Sequence, residues 1–293
     1  MVRSVVAGLD GSPESRAAAE WAAGEAELRG LPLKIVHVWV PAPDPLAQAP
    51  FIGGETQQQW SERIPREAGE GLRRRHPGVD VNVEQVSGTP SDALVGAAKD
   101  AELLVLGSRG LSGVGGFLVG SVGLSVVARA ELPVVLVRAD EQAADEDGTN
   151  PENRPVVLGL DAEGPADAVI EFAFAEAARR GTSLRVVYGW SLPPYYAYGF
   201  ALDAGLHDEL SQEETGSLTE ALRPWRQKHP ETEVFLEPRV GSAADHLVDA
   251  SREASLVVIG RRIRRGGPGA HIGPVAHGVL HHSTAPVAVV AHD

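Results

Sequence analysis

The stretch LLVLGSRGLSGVGGFLVGS, residues 103–121, joins a short apolar run to a long glycine-rich loop. Its first four residues lack polar side chains, which is typical of a strand buried on both faces. A helical pattern begins where the loop ends, and the free N–H groups and dipole of a helix start favour an anion. Glycines alone leave two interpretations open: an anion-binding loop, or a connector without a ligand.

Two familiar phosphate motifs do not fit this loop. It lacks the Gly-Lys-Ser/Thr ending of a Walker loop, and its glycines do not have the spacing of the dinucleotide fingerprint. If the loop binds an anion, it does so by another pattern.

The chain repeats itself over nearly its whole length. VVAGLD at 5–10 returns as VVLGLD at 156–161, and LVLG at 104–107 returns as VVIG at 257–260. The offset grows from 151 residues, Asp10 to Asp161, to 153 residues, Gly107 to Gly260. A repeat of this length indicates duplicated domains rather than a solenoid, whose units are roughly 20–50 residues. We predict domains at 1–140 and 156–293, joined by an acidic, solvated linker at 141–155.

Each copy alternates β-branched apolar runs with longer helical patterns. In the first copy the predicted strands are 4–9, 33–40, 80–86, 103–106 and 134–137, and the predicted helices are 12–29, 56–75, 90–99 and 119–130. Strands and helices that alternate through short connections predict a parallel, doubly wound α/β sheet in each domain. Ligands of such sheets bind at the carboxyl ends of the strands.

The composition restricts the classes of function. The chain has 293 residues, a formal net charge of -14 and no cysteine. The charge disfavours nucleic acid and anionic membranes as partners, and the lack of cysteine excludes disulfides and thiolate metal sites. No signal-peptide pattern or membrane-spanning run is visible, so we expect a cytoplasmic protein.

The loop resembles the ATP-loop pattern of the universal stress protein family: Gly, two residues, Gly, nine residues, then Gly-Ser. The matching residues are Gly107, Gly110, Gly120 and Ser121. The opening VVAGLDGS, the HV at 37–38, the turn at 88–90 and the closing LPVVLV fit the same family in the same order. The resemblance implies an adenine-nucleotide alpha-hydrolase-like fold, with five parallel strands in the order 3-2-1-4-5 in each of two tandem domains.

The resemblance also implies ATP as the ligand, often accompanied by a divalent metal such as Mg²⁺, although no metal ligands can be named. It implies a homodimer, or a pseudo-dimer within the chain, formed through the last strands. In the first domain, Asp10 would contact the nucleoside and the backbone near Val38 would meet the adenine, while the glycine loop would surround the phosphates. The candidate binding residues are Gly8, Asp10, Val38, Gly107, Arg109, Gly110, Gly120, Ser121 and Val122.

Two of these residues keep a second interpretation. Asp10 has the position of an acid that complements the dipole of the following helix, although its place opposite the glycine loop favours a ligand role. Arg109 is compatible with a phosphate donor and with a solvated loop charge.

The second copy departs from the pattern. Gly260 and Gly273 remain in its loop and Asp161 keeps the acid, but Ile263 replaces the second glycine and Pro274 replaces the serine. Proline removes a backbone donor, and isoleucine is bulky where phosphate would approach. Four arginines at 261, 262, 264 and 265 either compensate for these losses or form a solvent-exposed loop. We predict weakened or lost binding in the second domain.

The sequence therefore predicts an ATP-binding universal stress protein that acts as a sensor or regulator of the stress response. One alternative is a slow ATPase or nucleotide hydrolase, but we identify no catalytic residues. The other is a dimeric scaffold that needs no nucleotide.

Overall fold

The computed structural model describes residues 3–39, 57–108, 120–139, 153–161, 164, 166–191, 204–263 and 272–293. The chain forms two compact units, Met1–Glu141 and Gln142–Asp293, and each is described by itself. Most of the predicted linker, residues 141–152, lies outside the described residues, and so do Arg109, Gly110 and the rest of the glycine loop to residue 119.

The described part of the first unit contains five strands and four helices. In chain order they are β1 (Val5–Leu9), α1 (Pro13–Arg29), β2 (Leu33–Trp39), α2 (Gln57–Arg75), β3 (Val81–Ser87), α3 (Pro90–Ala97), β4 (Leu103–Ser108), α4 (Ser121–Arg129) and β5 (Val134–Arg138). All strand pairs in this unit are parallel, and the order across the sheet is β3-β2-β1-β4-β5. The ends differ from the predicted ones by no more than two residues. The largest differences, of two residues each, are the extension of β4 through Ser108, the earlier end of α3 and the later start of α4.

Local signals explain where α1 begins and ends. The side chain of Ser12 caps its amino end by accepting a hydrogen bond from the Ser15 amide, and proline occupies the first helical position. Gly30 ends the helix with a φ of 63°, a conformation that glycine adopts without strain. Small alanines on the buried face let α1 pack closely on the sheet.

The described part of the second unit repeats this plan. Its elements are β6 (Val156–Gly159), α5 (Asp167–Arg180), β7 (Leu184–Trp190), α6 (Ala204–Lys228), β8 (Val234–Val240), α7 (Ala243–Ser251), β9 (Leu256–Arg262), α8 (Pro274–His282) and β10 (Val287–His292). The pairs are again parallel, in the order β8-β7-β6-β9-β10. The predicted fold class and strand order are therefore confirmed.

Apolar strands form the core of each unit. All five residues of β1 and all five of β5 are buried, as expected for a parallel sheet covered by helices on both faces. Across the described residues, no helix combines the length and hydropathy that crossing a bilayer requires.

Candidate functional site

A pocket of about 260 Å³ opens in the first unit, where β1, β2 and β4 reach their carboxyl ends. One side of it is apolar. The apolar residues in its lining are Leu9, Val36, Val38, Pro90, Leu94 and Leu106. Apart from Val122, which is also apolar, the other described lining residues are small or acidic: Gly8, Asp10, Ser12, Glu14, Ser15, Gly107, Gly120, Ser121 and Gly123.

This pocket brings together most of the residues singled out in the sequence. Those that line it are Gly8, Asp10, Val38, Gly107, Gly120, Ser121 and Val122. Sequence reasoning missed the contributions of Ser15, Glu14 and Leu94 to the lining, because their sequence signals are those of ordinary helix residues.

The amino end of α4 contributes hydrogen-bond donors to the pocket. Its N-cap is Gly120, which makes no side-chain capping bond, and its first turn contains no acid. Helix geometry leaves the first amides without partners inside the helix, and these amides belong to pocket-lining residues. A Cβ added to Gly120 would meet no described atom within 4 Å. Within the described residues, the helix start therefore has space beside Gly120, and its first amides and dipole favour an anion.

The amino end of α1 lies at the same pocket, but two of its amide donors, those of Ser12 and Ser15, already have partners. Asp10 Oδ1 accepts hydrogen bonds from the Ser12 amide at 3.0 Å and from the Ser12 hydroxyl at 2.5 Å. The Ser15 amide in turn donates to the Ser12 hydroxyl at 3.2 Å. Asp10 thus serves the helix start, as its second interpretation proposed, while also lining the pocket.

The structure explains why residue 107 is a glycine, and the explanation is packing rather than the ligand contact predicted from the sequence. A Cβ at this position would lie 2.5 Å from the Glu14 carbonyl carbon and 2.6 Å from the Ser15 amide nitrogen. The position therefore must be glycine because the backbone of α1 crosses β4 there. Gly8 is similarly tight, since its Cβ would lie 2.6 Å from a methyl carbon of Leu106.

His37 connects β2 to the residue that precedes Asp10. Its side chain is 4% exposed, and its Nδ1 donates to the Leu9 carbonyl oxygen at 2.8 Å. Because a carbonyl oxygen can only accept, Nδ1 carries the hydrogen. The bond fixes the end of β1 where the chain turns into the pocket; the sequence signal was a histidine inside an apolar strand.

Comparison with known proteins agrees with the repeat and the fold. A family model described as "Universal stress protein family" matches residues 1–138 and again residues 152–291. The chain belongs to the universal stress protein family. A universal stress protein of Mycobacterium tuberculosis strain H37Rv is 34% identical over 297 residues, covering 97% of this chain and 96% of the relative.

Solved structures support the fold of this universal stress protein. One from Archaeoglobus fulgidus aligns with a TM-score of 0.69 at 17% identity, covering 99% of this chain and 98% of that one. A functionally unknown protein from Pseudomonas aeruginosa PAO1 aligns with a TM-score of 0.63 at 16% identity, covering 100% and 93%. At these identities the likeness concerns the fold alone.

In the second unit of this universal stress protein, the helix after the first strand begins later than its counterpart in the first unit. Helix α5 has 14 residues where α1 has 17, and it begins three residues later in the repeat. Its N-cap is Ala166, which has no side chain for capping. Asp161 is exposed at the position of Asp10, but residues equivalent to Ser12 and Ser15 do not supply hydroxyl groups there.

The position equivalent to Val38 is closed in the second unit. Gly189 stands there in β7, and a Cβ on it would lie 2.6 Å from both the amide nitrogen and the Cα of Ala243. Ala243 begins α7 and corresponds to Pro90 in the first unit. The backbone of α7 therefore lies directly against β7, where the first unit has a pocket wall.

The remaining candidates of the second unit lie on regular elements. Gly260, Arg261 and Arg262 belong to β9, so the two arginines are not part of an exposed loop as one interpretation held. Gly273 is the N-cap of α8, and Pro274 follows it without an amide hydrogen. The equivalent helix start thus offers one donor fewer than α4. Ile263 ends the described part before the loop, and Arg264 and Arg265 lie outside it.

Proposed function

We propose that the first unit binds ATP and that the protein acts as a nucleotide-dependent sensor or regulator of the stress response. The observation that carries this proposal is the uncapped amino end of α4, which faces the pocket with no acid in its first turn. Such a helix start suits phosphate groups. The apolar wall around Val36 and Val38 suits a flat base, because small-molecule pockets combine apolar walls with few polar groups.

Within this proposal each lining residue has a role. The amides of Ser121 and Val122 donate to phosphate oxygens, and Gly120 leaves them room. Asp10 accepts from the ribose, and the backbone at Val38 meets the adenine edge. Gly8 and Gly107 shape the pocket through packing rather than through contact with the ligand. Arg109 and Gly110 stay predicted contacts from the sequence.

A magnesium ion would bind together with the phosphates rather than in a separate site formed by protein side chains alone. The described residues contain no group of three or more side chains suited to hold a metal. Asp10 and Glu14 both line the pocket, and Mg²⁺ commonly binds through one or two carboxylates together with substrate phosphates. Those two acids are the residues that would face such an ion, whose chemistry is to neutralise phosphate charge.

We propose that each chain binds one nucleotide tightly. In the second unit, the backbone of α7 lies against β7 at Gly189, and the start of α8 contains a proline. The domain limits 1–140 and 156–293, the linker between them and a cytoplasmic location belong to the same proposal. Pairing through the last strands, in a homodimer or a pseudo-dimer, stays a prediction that sedimentation at several concentrations can check.

Equilibrium binding of ATP to the purified protein tests the proposal directly. We expect saturable binding of one ATP per chain in the presence of magnesium, and a rise in melting temperature with ATP, because a ligand of the folded state stabilises it. Gly120→Ala should weaken binding by about threefold to tenfold through a methyl group at the phosphate site. Gly273→Ala is the matched control and should leave binding unchanged, since both glycines are N-caps with open space around them.

No binding at millimolar ATP and magnesium would overturn the proposal. Sustained phosphate release that Asp10→Ala abolishes would instead support a slow hydrolase. A melting temperature that ATP does not change, together with a stable dimer, would favour the scaffold.

A further inference from the structure

The described lining of the pocket in the first unit is acidic. Asp10 and Glu14 are the charged residues in its described lining, and that lining contains no lysine, arginine or histidine. A site for a polyphosphate would ordinarily contain basic side chains, because they offset the charge of the ligand. The charges therefore bear on which nucleotide the pocket prefers.

Glu14 lies on the glycine side of the pocket. It is the second residue of α1, and its backbone lies against Gly107, since a Cβ there would come within 2.5 Å of the Glu14 carbonyl carbon. Gly107 is the residue before the last one of β4, just ahead of the loop that leads to the start of α4. Glu14 is therefore beside the end of β4, from which the predicted phosphate-binding loop starts, and it is half-buried.

No described residue neutralises Glu14. Its carboxylate forms no ion pair within the described residues, while its position in the first turn of α1 stabilises its negative charge. Asp10 Oδ1 is engaged by Ser12, which keeps that carboxylate in place. Arg109, the one basic residue of the glycine loop 107–121, lies outside the described residues.

We propose that Glu14 is a specificity-determining residue that sets the net charge of the nucleotide accepted by this pocket. The proposal rests on the proposed adenine-nucleotide site and adds a ligand class to it. Each phosphate without a counterion is repelled by Glu14, and α4 provides only partial charges to offset this. The pocket selects adenine nucleotides of low net charge, or ATP whose charge a magnesium ion has reduced.

A series of nucleotides tests this inference. Cyclic AMP, AMP, ADP and ATP carry increasing negative charge on the same nucleoside, and their affinities can be measured by calorimetry with EDTA present. For the wild type we expect ATP to bind more weakly than AMP. Glu14→Gln should raise the affinity for ATP about tenfold and that for AMP about threefold, as expected for removing one nearby charge.

Glu131→Gln is the matched control. It removes the same charge from the same unit, but Glu131 is exposed beyond the carboxyl end of α4, at the opposite end of the strands from the pocket. We expect it to leave the ratio of ATP to AMP affinity unchanged. Melting temperatures of both variants check that the fold is intact.

Salt provides a measurement that needs no variant. If repulsion weakens ATP binding, added sodium chloride should narrow the gap between ATP and AMP affinity in the wild type, because it screens the charges. A gap that widens with salt would overturn the inference.

The same ratio of affinities in wild type and Glu14→Gln would also overturn it, while leaving nucleotide binding intact. If the wild type binds none of the four nucleotides, the proposed function fails and this inference fails with it.

Discussion

Strands β2 and β7 have equivalent places in the two repeats, yet they meet different neighbours. In the first unit Val38 borders an open pocket whose lining also includes Pro90. In the second unit Gly189 lies against the backbone of Ala243, with no room for even one methyl group. The two units share the strand order but differ at this contact, so the fold and the packing around the candidate site depend on different residues.

The helices that follow the first strand of each repeat also keep the features that pack on the sheet and differ at the end that faces the candidate site. Helix α1 is capped by Ser12, and its first turn reaches the pocket. Helix α5 starts one turn later at Asp167, after an N-cap that is alanine. Both helices end at a glycine with a φ of 63°, so the packed end is retained and the pocket end is changed. Packing on the sheet constrains one end of the helix, whereas the other end is free to diverge.

The largest expected effect is a difference in stability between alanine substitutions at two equivalent glycines, Gly107 and Gly260. Gly107→Ala should lower the free energy of unfolding by about 3 kcal/mol, because the added methyl group meets backbone atoms that cannot move aside. Gly260→Ala should cost about 1 kcal/mol or less, since its nearest neighbours are the side chains of His292 and Val169. Urea denaturation measures both values, and equal losses would contradict the different packing of α1 and α5.

A second comparison concerns the acids after the first strands. Asp10→Ala should weaken ATP binding about tenfold, the effect of removing a charged hydrogen-bond partner. Asp161→Ala should leave both the affinity and the number of bound nucleotides unchanged, because the second unit is closed at Gly189. Calorimetric titration of the two variants measures this asymmetry. Loss of binding sites in Asp161→Ala would show that the second unit also holds a nucleotide.

The smallest expected effect is a loss of folding stability at low pH, to which one glutamate in each unit contributes. In the first unit, burial raises the pKa of Glu20, but hydrogen bonds from Arg75 and His76 outweigh burial and leave that pKa below its usual value. In the second unit, burial likewise opposes the hydrogen bond and charge of Arg185, which leave the pKa of Glu237 lowered. A lowered folded-state pKa stabilises the protein above the unfolded pKa, and this contribution is lost as the pH falls through the folded value.

Glu20→Gln and Glu237→Gln should therefore each lower stability by about 0.5 kcal/mol at neutral pH, the usual value for a partly exposed pair. The difference from the wild type should shrink as the pH falls below the unfolded value, about 4.3, and vanish at a low pH beneath the lowered folded-state pKa values. Urea denaturation at both pH values measures the effect. A difference that stays constant with pH would mean that packing, and not ionisation, is responsible.

Some features of the site could be predicted from the sequence because they depend on residues close together in the chain. Ser12 and Pro13 predict the start of α1, and the glycine spacing before Ser121 predicts the start of α4. The alternation of apolar runs with helical patterns predicts the parallel sheet, although the strand order came only from the family resemblance. Proline at 274 indicates a poorer helix start in the second copy.

Other features depend on atoms far apart in the chain, and the tertiary structure alone decided them. The glycine at 107 is required by a crossing helix, and the glycine at 189 marks a closed wall. His37 supports the strand that leads to Asp10 through one hydrogen bond across 28 residues. Sequence periodicity reports which residues are buried, because burial follows the helix and strand periods. It does not report the separation of two backbones, and that separation decides whether a pocket exists.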